Sequence, residues 1–462
     1  MSIATPSRLH ATGLRLDGAA LGVLLLAVLV AHATVFGGAF QFDDFNVVVR
    51  EASVQSVSAW LRSQPGIRPL LKLTYALNHE SGAGLAGFHA VNVALHALNT
   101  WLVWRLASLL APATGVDAPR RLAFFVAAVF ALHPVQTEAV VYVCGRSTSL
   151  AASFALASIV WWLQGRERGD GRAMRLLSPL ALAAALACKE YAAVTPLALL
   201  LCACLRDPGP FAWGAWWRDT RVHVAVTALA LAAALAVPRY RMLLDTSLAL
   251  RGLSSNLLTQ AQALTWLAGQ LVQLDALNAD PALPVIVAAD APRAALAGVW
   301  LVLLAAALWA WRRHRVAAFS VLWFLLWLAP TQSLLPRLDV ANDRQLYVAL
   351  IGPAFGIGCL LMRTCARDAV ALAIPAVMLV LGTATWQRNR VYADEVHYWA
   401  DVAAKAPHNA RAYANLGHAL ALQGRRPQAE AALGVALALD PALHQAAVNL
   451  QLLRAGTGPT RP

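Results

Sequence analysis

Residues 18–49 read GAALGVLLLAVLVAHATVFGGAFQFDDFNVVV, an apolar run that ends on two adjacent carboxylates, Asp43 and Asp44, set among aromatics. A run of this length without charge is long enough to cross a bilayer, where about 20 apolar residues are needed. Two acids side by side repel each other and resist burial, so their place just beyond such a run poses a choice. They are either a solvated turn or a base with its partner at a membrane surface. The rest of the chain repeats the apolar pattern. It has 462 residues, 59% hydrophobic and 13% charged, about half the charged fraction usual in soluble domains. This composition predicts an all-α, polytopic membrane protein. Eleven spans are expected, at 18–38, 88–110, 122–140, 147–164, 173–188, 190–205, 221–238, 293–311, 316–333, 345–362 and 369–386.

The net charge of +13 does not point to nucleic acid, because the basic residues gather in loops on one side of this topology. Arg120 and Arg121, the cluster Arg166, Arg168, Arg172 and Arg175, and the run RRHR at 312–315 all fall there. That is the positive-inside pattern, and it predicts a cytoplasmic N-terminus; the Ala-, Leu- and Arg-rich usage points to a bacterial inner membrane. Lys189 and Glu190 nearly join the fifth and sixth spans. A short hairpin fits the charge distribution, whereas a re-entrant segment would invert everything after it. Ala31 and Ala33 form an Ala-x-Ala that would suit a signal peptidase, but the apolar character runs on to Phe40 and favours an uncleaved anchor. The six cysteines lack zinc-ligand spacing and read as small apolar residues, with a Cys144–Cys188 disulfide the lesser expectation.

Residues 1–386 form the membrane domain in this reading, 39–87 its first external loop, and 387–462 a region of different character. Within the last, ARAYANLGHALALQGRRPQAEAALGVALALDP (410–441) fits one tetratricopeptide repeat. Gly417, Ala429 and Ala436 allow two helices to approach closely, and Pro441 stops the second. Pro407 lies 34 residues before Pro441, the repeat period, so a partial repeat precedes the full one. So short an array cannot bury its own apolar faces and should dock on the membrane domain, a partner protein or another copy. Eleven spans put it on the same side as Asp43 and Asp44.

Polar residues collect where the spans meet that side. Arg68 and Lys72 stand in the first loop, and His89, Asn92, His96 and Asn99 follow one helix face. That stripe must face other helices or a cavity, with interhelical hydrogen bonding the simpler account. His133-Pro134 breaks the third span, and Glu138 and Arg146 follow it. Lys189, Glu190, Arg337, Asp339, Asp343, Arg344 and Tyr347 complete the set. Arg68, His89, His133, Glu138, Glu190 and Tyr347 are expected to line a substrate cleft. The chain has no Walker loop, no His-Glu-x-x-His and no Gly-x-Ser-x-Gly elbow.

The ordered set of Asp43-Asp44 after the first span, RPLLKLTYALN (68–78), FHAVNVALHALNTWLVWRL (88–106), VFALHPVQTEAVVYVCGR (129–146), CKE (188–190), DRQLY (343–347) and a terminal repeat resembles a known family. It is similar to the transmembrane and tetratricopeptide-repeat-containing O-mannosyltransferases and their bacterial relatives. The resemblance implies a C-type glycosyltransferase superfold and a polyprenyl-phosphate-linked sugar donor used outside the cytoplasm. It also implies that Asp43 and Asp44 match the family's acidic pair, and Arg146 and Arg344 its recurrent arginines. The chain departs from the family in ANDR (341–344), where Asn342 and Asp343 stand in place of the single acid of an Ala-Glu-Arg-like motif, and in its short repeat array.

Transfer from a lipid phosphate needs a base for the acceptor hydroxyl and cations for the departing phosphate. The expected base is Asp43 or Asp44, with the other as its partner, and the expected phosphate ligands are Arg146, Arg344 and Lys189. One base and direct displacement predict inversion. No cofactor is required, and a divalent metal at Asp43 and Asp44 is not favoured. The acceptor is expected to be a protein hydroxyl, with a glycolipid or envelope polysaccharide, or a non-catalytic repeat-bearing scaffold, as the alternatives.

Overall fold

In the computed structural model every regular element among the described residues is a helix. The structure describes residues 6–456 apart from 208, 210, 211 and 289, with 6–17 described by their backbone alone. The outermost ends of the two predicted regions, 1–5 and 457–462, lie outside the described residues.

Six segments are long and apolar enough to cross a membrane: Gly18–Gly37, Gly84–Thr114, Val143–Arg168, Trp213–Ala236, Ala291–Ala310 and Arg367–Val391. Two further pairs qualify only if each bent pair is one span, which raises the number to eight. Pro119–Leu132 meets Pro134–Val140 at 51°, and Asp343–Ala349 meets Ile351–Thr364 at 54°. The first bend falls at His133-Pro134, as expected from the missing proline donor. His133 secures it: Nδ1 accepts from the Val135 amide at 3.2 Å, and Nε2 donates to the Leu271 carbonyl at 3.1 Å.

The eleven predicted spans exceed this number because several are short. Segments 173–188 and 190–205 correspond to the helical run Ala173–Leu186, π-helical over its first turn, and the 12-residue helix Thr195–Arg206. Segment 316–333 is the 14-residue helix Arg315–Leu328, which at 1.5 Å per residue reaches about 21 Å of the roughly 30 Å hydrocarbon core. The six cysteines are free thiols.

Helices α1 (Pro6–Ala31), α2 (Gly84–Leu110), α3 (Pro119–Leu132) and α4 (Arg146–Arg168) pack with α5 (Arg315–Leu328), α6 (Ile351–Thr364) and α7 (Arg367–Val391) around one large apolar core. The polar stripe on α2 faces inward. Asn92 donates to the Val140 and Tyr142 carbonyls, and Asn99 donates to the Ser149 carbonyl at 2.8 Å and the Tyr347 hydroxyl at 3.0 Å. His96 contacts the same hydroxyl through Nδ1 at 2.9 Å. These bonds hold α2 to its neighbours, in keeping with the interhelical account of the stripe.

The C-terminal region is four helices, α8 (Glu395–Lys405), α9 (Ala410–Leu422), α10 (Arg426–Leu439) and α11 (His444–Arg454). Asp394 caps α8, accepting from the Val396 and His397 amides. Helices α9 and α10 form a close antiparallel pair. A Cβ at Gly417 would lie 2.7 Å from Leu433, and Ala429 and Ala436 are fully buried opposite. The tail has a small core of its own and a second apolar seam against the membrane body, where Tyr398, Trp399 and Val402 meet Val35, Tyr142 and Tyr392.

Candidate functional site

Asp43 and Asp44 follow Phe42, whose φ of 41° is in the left-handed region. Such a backbone costs on the order of 1–3 kcal/mol and persists only where its surroundings impose it. The turn gives the neighbouring carboxylates different fates. Asp44 is fully buried. Its Oδ1 accepts from the Cys144 amide at 2.8 Å and its Oδ2 from the Gln41 amide at 3.0 Å. Burial pushes its carboxyl up to about 7, against the pull of those bonds. Asp43 is half-buried, and its amide donates to the Tyr142 hydroxyl at 3.1 Å. Burial raises its carboxyl too, while the Arg344 charge pulls it back.

On one side of Asp43 lies a small cationic pocket. The Tyr142 ring sits under the Arg344 guanidinium, 5.5 Å from its centroid. Arg344 pairs with buried Glu138 twice, through Nη1 to Oε1 at 3.0 Å and through its amide to Oε2 at 2.8 Å. Arg344, Lys189 and Arg337 then line a cavity of about 20 Å³ with Tyr347, Tyr191 and Thr148. Lys189 donates to the Thr148 hydroxyl at 2.7 Å. Burial, then the charges of Arg344, Arg68 and Arg337, holds Lys189 well below the ordinary lysine range. Burial and Arg344 likewise bring Arg337 down to about 10. Cations that crowd one another in a confined space favour an anion between them.

Arg68, also left-handed at φ 49°, clamps Glu190 with Nε to Oε1 at 3.0 Å and Nη2 to Oε2 at 2.8 Å. Tyr240 donates to the same carboxylate at 2.9 Å. Burial alone would raise Glu190, but Arg68 and Tyr240 outweigh it and hold the carboxyl at about 2. The pair forms an outer wall beside Lys189.

Asp43 itself lines a cleft of about 240 Å³ that opens between the first loop and the tail. Phe42, Asp43 and Asn46 face Trp399, Arg411 and Asn415 across it. The Phe42 and Trp399 rings meet edge to face at 5.5 Å. Arg411 holds Asp280 through Nη2 at 2.7 Å and Nε at 2.9 Å, and Asp339 through Nη2 at 2.8 Å. Its guanidinium lies 5.6 Å from the Phe42 centroid. Lys405 adds a bond to the Leu277 carbonyl at 2.9 Å, and Asn409 one to Asp280 at 3.0 Å. The tail is therefore pinned to loops 271–288 and 331–342.

Of the residues expected at the site, the structure brings Asp43, Glu138, Lys189, Arg344 and Tyr347 together, with Arg68 and Glu190 alongside. Arg146 is not brought to the pocket. It is completely buried, with Nε donating to Asn92 at 2.7 Å, Nη2 to the Phe88 carbonyl at 3.0 Å and Nη1 to the Thr74 carbonyl at 3.3 Å. Its guanidinium is spent on the core, over the Tyr75 and Phe88 rings. His133 serves the bend, and His89 is buried against Gly38, away from the pocket lining. Arg337 was visible in the same sequence cluster as Arg344, but its role needed the fold. Trp399, Arg411 and Asn415 had no local signal, because each faces a loop more than 100 residues away. Among the described residues no three His, Cys, Asp or Glu side chains converge as a metal site.

No family profile matches the chain. It is 36% identical over 197 residues to the protein O-mannosyl-transferase Tmtc2 of Drosophila melanogaster, covering 38% of this chain and 20% of that protein. It is 31% identical over 193 residues to the protein O-mannosyl-transferase TMTC4 of Mus musculus, covering 35% and 26%. With the protein O-mannosyl-transferase TMTC1 of Homo sapiens the identity is 32% over 183 residues, covering 36% and 20%. The matches thus span about a fifth to a quarter of the curated relatives' length. The ordered motifs and these matches agree: over about a third of its length this chain is similar to the TMTC-family protein O-mannosyl-transferases.

Proposed function

We propose that this chain is a multi-pass membrane glycosyltransferase that moves a sugar, mannose in the first instance, from a polyprenyl-phosphate donor to a protein hydroxyl. The observation that carries the reading is that Asp43 lines an open cleft and is joined through Tyr142 to Arg344, which lines a cationic pocket. Asp43 takes the proton from the acceptor hydroxyl as its oxygen bonds to the anomeric carbon. The bond from that carbon to the phosphate oxygen breaks, and its electron pair leaves with the phosphate. Lys189, Arg337 and Arg344 neutralise the departing charge, the guanidinium forks matching phosphate oxygens. Asp44 fixes the loop, and the single base implies inversion. The reading needs no metal, since both Asp44 oxygens already accept backbone amides and the cations face the phosphate.

The architecture follows the same reading: a C-type glycosyltransferase fold of eleven segments, some shorter than a full span, with a partial tetratricopeptide array. Placement supports an odd number of crossings, because Gln41, just after the first span, donates to the carbonyl of Tyr392, just after the last. With the basic loops cytoplasmic, that face is outside a bacterial inner membrane. The test is transfer of radiolabelled mannose from polyprenyl phosphate in detergent, with membrane and periplasmic extract as acceptor pool, for wild type, Asp43→Asn and Asp44→Asn. Label fixed by wild type and lost in Asp43→Asn supports the assignment. No label from any prenyl-linked sugar defeats it.

A further inference from the structure

We propose that the helix Pro238–Ala249 lies in the lipid headgroups on the side of the cationic pocket and ties two walls of that pocket to the membrane surface. The inference stands apart from the transferase reading, since it concerns where the pocket sits and not what it transfers. Depth is the first support. The apolar helix Trp213–Ala236 is followed by one extended residue, Val237, and Pro238 then opens the new helix at its first position. The helix therefore starts where a span ends. Near its start Tyr240 donates to Glu190 at 2.9 Å and accepts from the Arg68 amide at 3.3 Å. Near its end Ser247 donates to the Pro336 carbonyl, and Arg251, just beyond it, donates to the Arg337 carbonyl. Twelve residues reach about 18 Å at 1.5 Å per residue, so the helix crosses from one wall of the pocket to the other.

The second support is the division of its faces. Tyr240, Leu244, Ser247 and Arg251 follow i, i+4, i+7, i+11 and form the flank turned to the body. Arg241, Asp245 and Leu248 follow i, i+4, i+7 on an exposed, mostly charged flank. Met242, Leu243, Thr246 and Leu250 make the third, where Met242, Leu243 and Leu250 are 45%, 43% and 38% exposed. Arg239 stands on this flank too, against the Met242 sulfur, and offers headgroup phosphates a cation. A helix with one flank on protein, one charged and one apolar suits a bilayer surface, with its apolar flank sunk ~5–10 Å into the headgroup boundary. Lipid is the occupant and not a second copy of the chain, because the span just before the helix also exposes Leu229, Leu231 and Leu235.

The experiment uses the full chain in vesicles of phosphatidylethanolamine and phosphatidylglycerol. These carry a phospholipid with a photoreactive diazirine high on its acyl chain. Trypsin, cutting after Arg221, Arg239, Arg241 and Arg251, releases 222–239 from the span and 242–251 from the helix as separate peptides. Both should carry lipid adducts. In Leu243→Glu with Leu250→Glu the adducts on 242–251 should fall about fivefold, while those on 222–239 persist and report an intact fold. Leu248→Glu, on the charged flank, should leave both peptides labelled. Adducts confined to 222–239 in the wild type would place a protein neighbour on the apolar flank and overturn the proposal. So would labelling of 242–251 that the double variant does not lower, or that Leu248→Glu lowers equally. A wild type unlabelled on both peptides removes the span that sets the depth of the helix, and overturns it as well.

Discussion

The pocket at Lys189, Arg337 and Arg344 and the cleft at Asp43, Trp399 and Asn415 differ in almost every physical respect. The pocket is small, enclosed by helix ends and loops of the membrane body, and lined by charges of one sign. Its acids stand behind the cations as partners, Glu138 for Arg344 and Glu190 for Arg68. The cleft is more than ten times larger, mixed in charge, and walled in part by helices after the last span. A site with one-signed charge selects a ligand by charge. A site of amides and rings selects by shape and hydrogen bonding. Asp43 lines the cleft and is tied to the pocket through Tyr142, whose ring lies under Arg344.

The contrast breaks most clearly at the shared group. Asp43→Asn should lower kcat about 10²- to 10⁴-fold, the range for losing a general base, with little change in donor affinity. Retained turnover in the mannose-transfer assay would separate Asp43 from the chemistry. The next largest effect should be on folding. Arg146→Ala removes donors from Asn92 and the Phe88 carbonyl inside the core, which costs about 3 kcal/mol or more. It should show as a lowered Tm and poor yield, whereas a surviving fold with raised donor KM would return Arg146 to the phosphate. Lys189→Ala should raise the donor KM about tenfold and leave the peptide KM alone, sharpening the division between the two cavities.

Arg411→Ala should loosen the tail by about 1–3 kcal/mol, since Asp280 and Asp339 lose their shared partner. Hydrogen exchange across 395–454 would register it. The smallest effect concerns pH. Asp44 is raised to about 7 when folded, so the fold favours its neutral form. Its contribution to stability is fully present below the ordinary aspartate value near 4 and is lost as pH rises to about 7. Asp44→Asn should flatten that slope in Tm against pH, at a cost of about 1 kcal/mol for the amide bond it cannot accept. For Asp43 the raised carboxyl must ionise to act, so the acid limb of kcat should fall at a pH above the ordinary aspartate value.

Much of this was legible in the sequence because the signals were local. Apolar length marks spans, His133-Pro134 marks a bend, and Gly417 with Ala429 and Ala436 marks a close helix pair. The number of full-length spans was less so, because hydropathy does not show that Arg315–Leu328 stops after 14 residues. For the site, residue type indicated which side chains could carry charge but not where each spends it. Arg146 and Arg344 are alike in sequence, and only packing consigns one to the core and places the other beside a cavity. The order of the two aspartates depended on Phe42 turning left-handed, which no residue type announces. The tail's contribution was invisible for a different reason: Arg411 meets Asp280 and Phe42 across 131 and 369 positions of chain.

That separation has a consequence in time. The Asp43 loop leaves the ribosome more than 350 residues before Trp399, Arg411 and Asn415 are made. Gln41 cannot reach Tyr392, nor Asn389 the Ala31 carbonyl, until almost the whole membrane body has been inserted. A growing chain can therefore assemble its cationic pocket before it has a second wall opposite Asp43. The cleft therefore forms only after the helices that follow the last span have been made.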